Sequence, residues 1–129
     1  MPRDNSREVR PESLGSGDVG VFNPQDFSVF SADEPMIMGV YRDGVDLRHV
    51  TIRNFEPGQQ TPLHVHPENA HCIYVLEGSG DVLVEGAPPI PISAGQFLIV
   101  PRDVPHGMAN TGDGRLSYLG VNGGAEPSS

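Results

Sequence analysis

Residues 71–86 read HCIYVLEGSGDVLVEG and contain two short runs of β-branched and aromatic residues separated by a glycine-rich turn. The first run, His71 to Glu77, stops at Gly78. The second, Asp81 to Glu85, alternates apolar with polar residues and stops at Gly86. Runs of this length and composition, bounded by glycine, predict two β-strands joined by a turn.

The same pattern of short apolar runs and turns extends along the rest of the chain. Glycine and proline together supply 29 of the 129 residues (16 + 13), which interrupts the chain too often for long helices. Further strands are predicted at Leu47–Phe55, Gln96–Val100 and Leu116–Val121. We therefore expect a single all-β domain, either a sandwich or a barrel.

The two ends of the chain have a different composition. Residues 1–18 and 124–129 are rich in proline, glycine and serine and contain few apolar side chains. Such segments cannot bury enough surface to offset the entropy that is lost on ordering. We expect both to be flexible tails.

The charge balance excludes several function classes. The formal net charge is −9 (8 − 17), and all eight cationic side chains are arginine, so chemistry that needs a lysine is absent. A chain this acidic is not expected to bind nucleic acid or an anionic membrane. No apolar stretch approaches the ~20 residues that span a bilayer, and residues 1–16 lack the apolar run of a signal peptide. With Cys72 as the single cysteine, we expect a cytoplasmic protein.

Four of the five histidines are spaced like metal ligands. His64 and His66 stand at positions i and i+2, which places both side chains on one face of a strand. His71 opens the next strand after a short turn, and His106 lies on what would be the paired strand. The spacing alone leaves two interpretations open, a metal site and ordinary surface or core histidines.

These residues resemble the two sequence motifs of the cupin family. The first motif is G-x5-H-x-H-x3or4-E-x6-G, and its positions are occupied here by Gly58, His64, His66, His71 (where glutamate is usual) and Gly78. The second motif is G-x5-P-x-G-x2-H-x3-N, and its positions are occupied by Gly95, Pro101, Asp103 (where glycine is usual), His106 and Asn110. Aspartate tolerates left-handed backbone better than most residues, so the turn at Asp103 can survive.

The resemblance implies a double-stranded β-helix, a jelly-roll-like barrel, over residues 19–123, and often a homodimer. It also implies one divalent metal per chain, held by His64, His66, His71 and His106. The exchange of glutamate for His71 is similar to a subset of cupins with an all-histidine site. Glu68, the nearest carboxylate, lies inside the turn two residues after His66 and is a poorer ligand candidate.

Four imidazoles would leave the full +2 charge on the ion and, in an octahedral geometry, two open positions. Zn²⁺ is favoured, and Fe²⁺, Mn²⁺, Ni²⁺ or Cu²⁺ would also suit such a site. The second ring nitrogen of each histidine needs an acceptor, which backbone carbonyls or Asn110 could supply. A turn-capping role for Asn110 is equally open.

The lining of the barrel follows from strand alternation. With His71 facing inward, Ile73 and Val75 share its face, and Met108 shares a face with His106. A mostly apolar interior favours a hydrophobic, oxygen-bearing small molecule. Phosphorylated ligands are disfavoured, because the cations available near the barrel are few: Arg42, Arg48, Arg53, Arg102 and Arg115.

This chain is similar to small single-domain cupins that cyclise aromatic polyketides, including the resistomycin-type cyclase, in which four histidines hold zinc. The resemblance implies a non-redox enzyme of antibiotic biosynthesis, a polyketide cyclase that promotes intramolecular aldol cyclisation of a poly-β-ketone through a metal-stabilised enolate. Three alternatives stay open. They are a non-haem metal dioxygenase acting on a diketone or flavonol-like substrate, a non-enzymatic, metal-stabilised binding module, and an isomerase or lyase acting on a small acid. No catalytic acid or base is assigned, although His49, Tyr41, Tyr74 and Tyr118 are candidates with commoner structural roles.

Overall fold

The computed structural model describes residues 7–8, 20–42, 46–65 and 70–123, and of residues 7–8 only the backbone. Within these ranges the chain forms one 3₁₀ helix, Pro24–Phe27, and nine strands. The strands are β1 (Arg7–Glu8), β2 (Met36–Tyr41), β3 (Leu47–Phe55), β4 (His71–Glu77), β5 (Ser79–Val84), β6 (Ile90–Ser93), β7 (Phe97–Val100), β8 (His106–Ala109) and β9 (Leu116–Gly123). The all-β prediction is confirmed, and the predicted boundaries of β3 and β4 match those observed.

The strands form two sheets that face each other. The larger has the order β1-β2-β3-β9-β4-β7, and the smaller has the order β6-β5-β8. β1 pairs with β2 in parallel, so Arg7 and Glu8, two residues of the segment predicted to be a tail, belong to the larger sheet. The rest of residues 1–18 and all of 124–129 lie outside the described residues.

Two apolar clusters cover the two faces of the larger sheet. The inner cluster lies between the two sheets, in the space that we call the lumen. It consists of Phe55, Ile73, Val75, Val82, Ile92, Met108, Leu116 and Tyr118. The outer cluster packs residues around the 3₁₀ helix against the opposite face and consists of Phe27, Met36, Met38, Val40 and Ile52. Burial on both faces explains why β3 carries apolar residues on both of its sides, with Phe55 in the inner cluster and Ile52 in the outer cluster.

The side chains of β4 alternate as the sequence predicts. His71, Ile73 and Val75 are buried on the lumen side. Tyr74 is exposed, and with Phe97 and Ile99 of the neighbouring strand β7 it forms an apolar outer surface. The homodimer stays a prediction.

The motif glycines occupy turns that need left-handed backbone. Gly58, Gly78 and Gly95 have φ values of +86°, +81° and +88°. Asp103, which replaces the motif glycine, has a φ of +66° and is the single non-glycine residue with positive φ among the described residues. The expectation that aspartate preserves this turn is confirmed.

Among the residues that the structure describes, no helix has the length and apolar character needed to cross a membrane.

Candidate metal centre in the lumen

Three histidines from separate segments come together at one end of the lumen. His64 and His106 form an antiparallel bridge, in which each backbone N–H donates to the other's carbonyl at 2.9 and 2.8 Å. Their ring centroids are 4.6 Å apart. His71 approaches from the facing sheet, and its Nδ1 lies 3.4 Å from Nε2 of His106. The predicted pairing of the His64 segment with the strand that carries His106 is confirmed.

Backbone carbonyls set the ring orientation of two of these histidines. Nδ1 of His106 lies 2.8 Å from the carbonyl oxygen of Val104, and Nδ1 of His64 lies 3.2 Å from that of Pro62. Each Nδ1–H donates to its carbonyl, so Nε2 of the neutral ring carries the lone pair. This is the arrangement in which imidazole binds a metal ion.

Burial keeps His64 and His106 in the neutral form. Desolvation is the largest influence and lowers the pKa of both rings below 6.5, and the positive charge of Arg53 lowers both further. Backbone hydrogen bonds oppose the shift without reversing it. Both rings are therefore uncharged at neutral pH and available as ligands.

The chemistry of these side chains fits a first-row divalent cation, because neutral imidazole nitrogens are ligands such ions prefer. The predicted fourth ligand, His66, lies outside the described residues, as does Glu68. Within the described part of the chain, no three histidine, cysteine or carboxylate side chains are arranged closely enough to hold an ion. The four-histidine site is therefore taken up below as a proposal.

Gly120 provides the space that the His71 ring occupies. It lies on β9 opposite both Thr51 and Ile73, in the row next to His71. A Cβ atom on Gly120 would stand 2.8 Å from Nε2 of His71 and 3.3 Å from Oγ1 of Thr51. The absence of a side chain here thus allows the ring to lie against the floor of the lumen.

Asn110 has a structural role rather than a role in orienting a histidine. Its Nδ2 donates to the carbonyl oxygens of Phe55 (3.0 Å) and Gly114 (2.9 Å), and its Oδ1 accepts from the N–H of Gly112 (3.1 Å). The side chain is almost fully buried. It therefore ties the turn before β9 to the end of β3, which decides between the two roles left open by the sequence.

Asn110→Ala should lower the free energy of unfolding by about 2–3 kcal/mol, because it leaves buried backbone groups without partners. Urea unfolding would measure this loss, and metal content should not change. Asn23→Ala is a matched control, since Asn23 is exposed and its side chain makes no capping hydrogen bond. If Asn110→Ala is as stable as the wild type, the structural role of Asn110 is contradicted.

Of the candidates for proton transfer, only Tyr118 lies in the inner cluster. It is buried, and its ring stacks on Phe55 at a centroid distance of 5.7 Å. Burial raises the pKa of its phenol, so the hydroxyl stays protonated at neutral pH. Tyr74 is exposed on the outer surface, and Tyr41 packs against the outer cluster. His49 is half-buried and lies opposite Asn122 in the sheet register.

The lumen is less uniformly apolar than the sequence suggests, because Arg53 points into it. Arg53 lies opposite Tyr118 in the register, and its positive charge acts on Tyr118, His64 and His106. Alternation places Arg53 on one face with Thr51 and Phe55, a signal present in the sequence. That signal could not show which face is inward, because both faces of β3 are covered.

Comparison with known proteins gives a family and a fold. Residues 51–122, more than half of the chain, match the sequence profile described as "Cupin domain". Similar proteins include Protein SchB of Streptomyces halstedii, which is 39% identical over 57 residues (44% of this chain, 41% of SchB). Polyketide synthase CurC of Streptomyces cyaneus is 37% identical over 57 residues (44% of this chain, 36% of CurC). The chain thus spans less than half the length of these relatives.

Among solved structures, a Klebsiella pneumoniae protein with a double-stranded β-helix domain has a TM-score of 0.78 to this chain. The two chains are 21% identical, and the alignment covers 86% of this chain and 95% of the other. At this identity the likeness establishes the fold alone. The prediction of a double-stranded β-helix is confirmed.

Proposed function

Because this chain belongs to the cupin family, we propose that it is a metal-dependent enzyme that cyclises a poly-β-ketone by intramolecular aldol condensation. The observation that carries the proposal is that the His106 ring lies beside those of both His64 and His71, which come from separate segments at one end of the lumen. The similarity to CurC, whose name describes a polyketide synthase, supports the substrate class.

The proposed metal ligands are His64, His66, His71 and His106, with zinc as the favoured ion. When bound, a divalent cation supplies Lewis acidity, which polarises a carbonyl group and makes the neighbouring C–H bond more acidic. The protein supplies neutral imidazoles for this purpose, and the carbonyls of Val104 and Pro62 hold two of them in the required orientation.

The residues around this centre would bind and shield a hydrophobic substrate. Ile73, Val75 and Met108 present apolar side chains to the lumen close to the histidine end. Their burial would exclude water from a reactive polyketone chain, which favours ring closure over unproductive reactions. The Tyr118 hydroxyl, protonated at neutral pH, can donate a hydrogen bond to a substrate oxygen.

Metal analysis combined with two activity assays tests the proposal. The full chain, purified without added metal, should contain zinc and should close 2,6-heptanedione to 3-methylcyclohex-2-enone with loss of water, followed by the ultraviolet absorbance of the enone. It should consume no oxygen in the presence of a 1,3-diketone, because zinc has no redox chemistry.

The outcomes separate the candidate functions. Bound iron with oxygen uptake would replace the cyclase with the dioxygenase, since the same imidazole ligands suit redox-active ions. Bound zinc without turnover of any ketone would favour the binding module. A protein that takes up no divalent ion would contradict the proposal as a whole.

A further inference from the structure

Arg53 is a cation on the lumen side of β3. It pairs with Tyr118 in the β3–β9 register, and Tyr118 pairs with Val75 in the β9–β4 register. Directly opposed residues of antiparallel strands project from the same face of a sheet. Since Val75 and Tyr118 belong to the inner cluster, Arg53 projects into the lumen as well.

The side chain of Arg53 leans toward the histidine end. Its Nε donates to Oγ1 of Thr51 at 3.4 Å. Thr51 lies opposite Gly120, one row closer to His71 than Arg53 itself. The guanidinium is also near enough to His64 and His106 for its charge to act on both rings, in addition to the larger effect of their burial.

No carboxylate of a described residue forms a salt bridge with this guanidinium. The neighbours of Arg53 are the hydroxyl groups of Thr51 and Tyr118. An arginine has five N–H donors in a planar fork, and partial burial without a counter-ion is unfavourable. The lumen therefore offers a positive charge that an anionic ligand would neutralise.

A second polar group points to a ligand with oxygen atoms. Asn122 is 2% exposed and lies opposite His71 in the sheet register. Its Nδ2 has no hydrogen-bond partner within the described residues. A buried amide donor without an acceptor is destabilising, and an oxygen atom of a ligand would supply the missing acceptor. Asn122 is four residues from Tyr118 on β9, or roughly 13 Å along the strand.

We propose that the lumen binds a hydrophobic carboxylic acid whose carboxylate pairs with Arg53 while a carbonyl or hydroxyl oxygen at its other end lies beside His71 and Asn122. This inference rests on the proposed function in that it takes the histidine end as the reacting end. It adds Arg53 as the residue that selects the ligand, because a planar guanidinium recognises a planar carboxylate through two parallel hydrogen bonds. Thr51 is a positioning residue that holds the Nε of Arg53.

A pair of isosteric ligands tests the proposal with the metal-loaded full chain. Calorimetric titration would compare 6-acetyl-2-naphthoate with 6-acetyl-2-naphthamide, which differ in the charge of one end. The wild type should bind the carboxylate about tenfold to a hundredfold more tightly, as expected for a charge-assisted hydrogen bond. Arg53→Gln should abolish this preference, and Arg42→Gln, which changes an exposed arginine, should retain it.

A second measurement does not depend on the Arg53→Gln variant. In the wild type, the Hε resonance of Arg53, assigned by comparison with Arg53→Lys, should shift on titration with the naphthoate and not with the naphthamide. Equal affinity of the wild type for the two ligands, or binding of neither, would overturn the proposal. A preference that persists in Arg53→Gln would also overturn it.

Repeating the titration after EDTA treatment separates this proposal from the proposed function. A carboxylate preference that depends on Arg53 and survives metal removal supports the anion site, even if metal analysis contradicts the enzyme. A preference lost with the metal and unaffected by Arg53→Gln assigns the carboxylate to the metal, which overturns the role of Arg53 and leaves the metal centre intact.

Discussion

Replacing His71 with alanine should lower the affinity for zinc by about a hundredfold or more, since changes to outer-shell partners alone typically cost 10–100-fold. The ring is 2% exposed and its Nδ1 lies 3.4 Å from Nε2 of His106, so the substitution removes a nitrogen ligand from the interior of the proposed site. Elemental analysis and competition with a chelator would measure the loss, and circular dichroism would show that the variant is folded.

His49→Ala is the matched control for this experiment, because His49 lies outside the proposed ligand set and should leave the affinity for zinc unchanged. Full stoichiometric loading of His71→Ala with unaltered affinity would show that His71 is not a ligand.

Gly120→Ala changes the surroundings of His71 without removing a proposed ligand. The new methyl group would meet His71 Nε2 at 2.8 Å and force the ring to shift, so the affinity for zinc should fall by roughly tenfold. Gly114→Ala introduces the same methyl group into open space and should have no effect on metal binding. An effect of equal size in both variants would indicate a general loss of stability.

Gly78→Ala should cause the largest loss of stability, about 3 kcal/mol or more. Gly78 has a φ of +81°, and a Cβ atom there would collide with the backbone carbonyl of Arg115 and stand 3.1 Å from Cα of Leu116. Both contacts are backbone atoms at the start of β9, which cannot move without disturbing the centre of the larger sheet. Urea unfolding at neutral pH would measure the change.

The loss in Gly78→Ala has two causes, the left-handed backbone conformation and the collision with the Arg115 carbonyl. Gly86→Ala measures the first cause alone. Its φ of +76° is nearly the same, but no atom lies within 4 Å of the position of the new Cβ. It should therefore show only the conformational cost of a left-handed alanine, about 1–2 kcal/mol. If the two variants are equally destabilised, the close approach of Arg115 contributes nothing.

The strands that the sequence predicts well are those with a long β-branched or aromatic run. β3 and β4 have this character and were predicted with their observed boundaries. The sequence does not predict β1, β2 or β6. β6 contains Pro91 and consists of only four residues, and a proline in so short a run indicates a turn. It is tolerated because β6 is an edge strand of the smaller sheet.

For the site, the sequence alone identified the candidate histidines and predicted the turn at Asp103. These depend on local spacing and backbone preferences, which the order of residues contains directly. Only the tertiary structure decided that Asn110 ties a turn to β3 and that Arg53 projects into the lumen. Both depend on which face of a strand meets which neighbour. In β3, apolar residues occur on both faces because each packs on a different cluster, so alternation could not distinguish inside from outside.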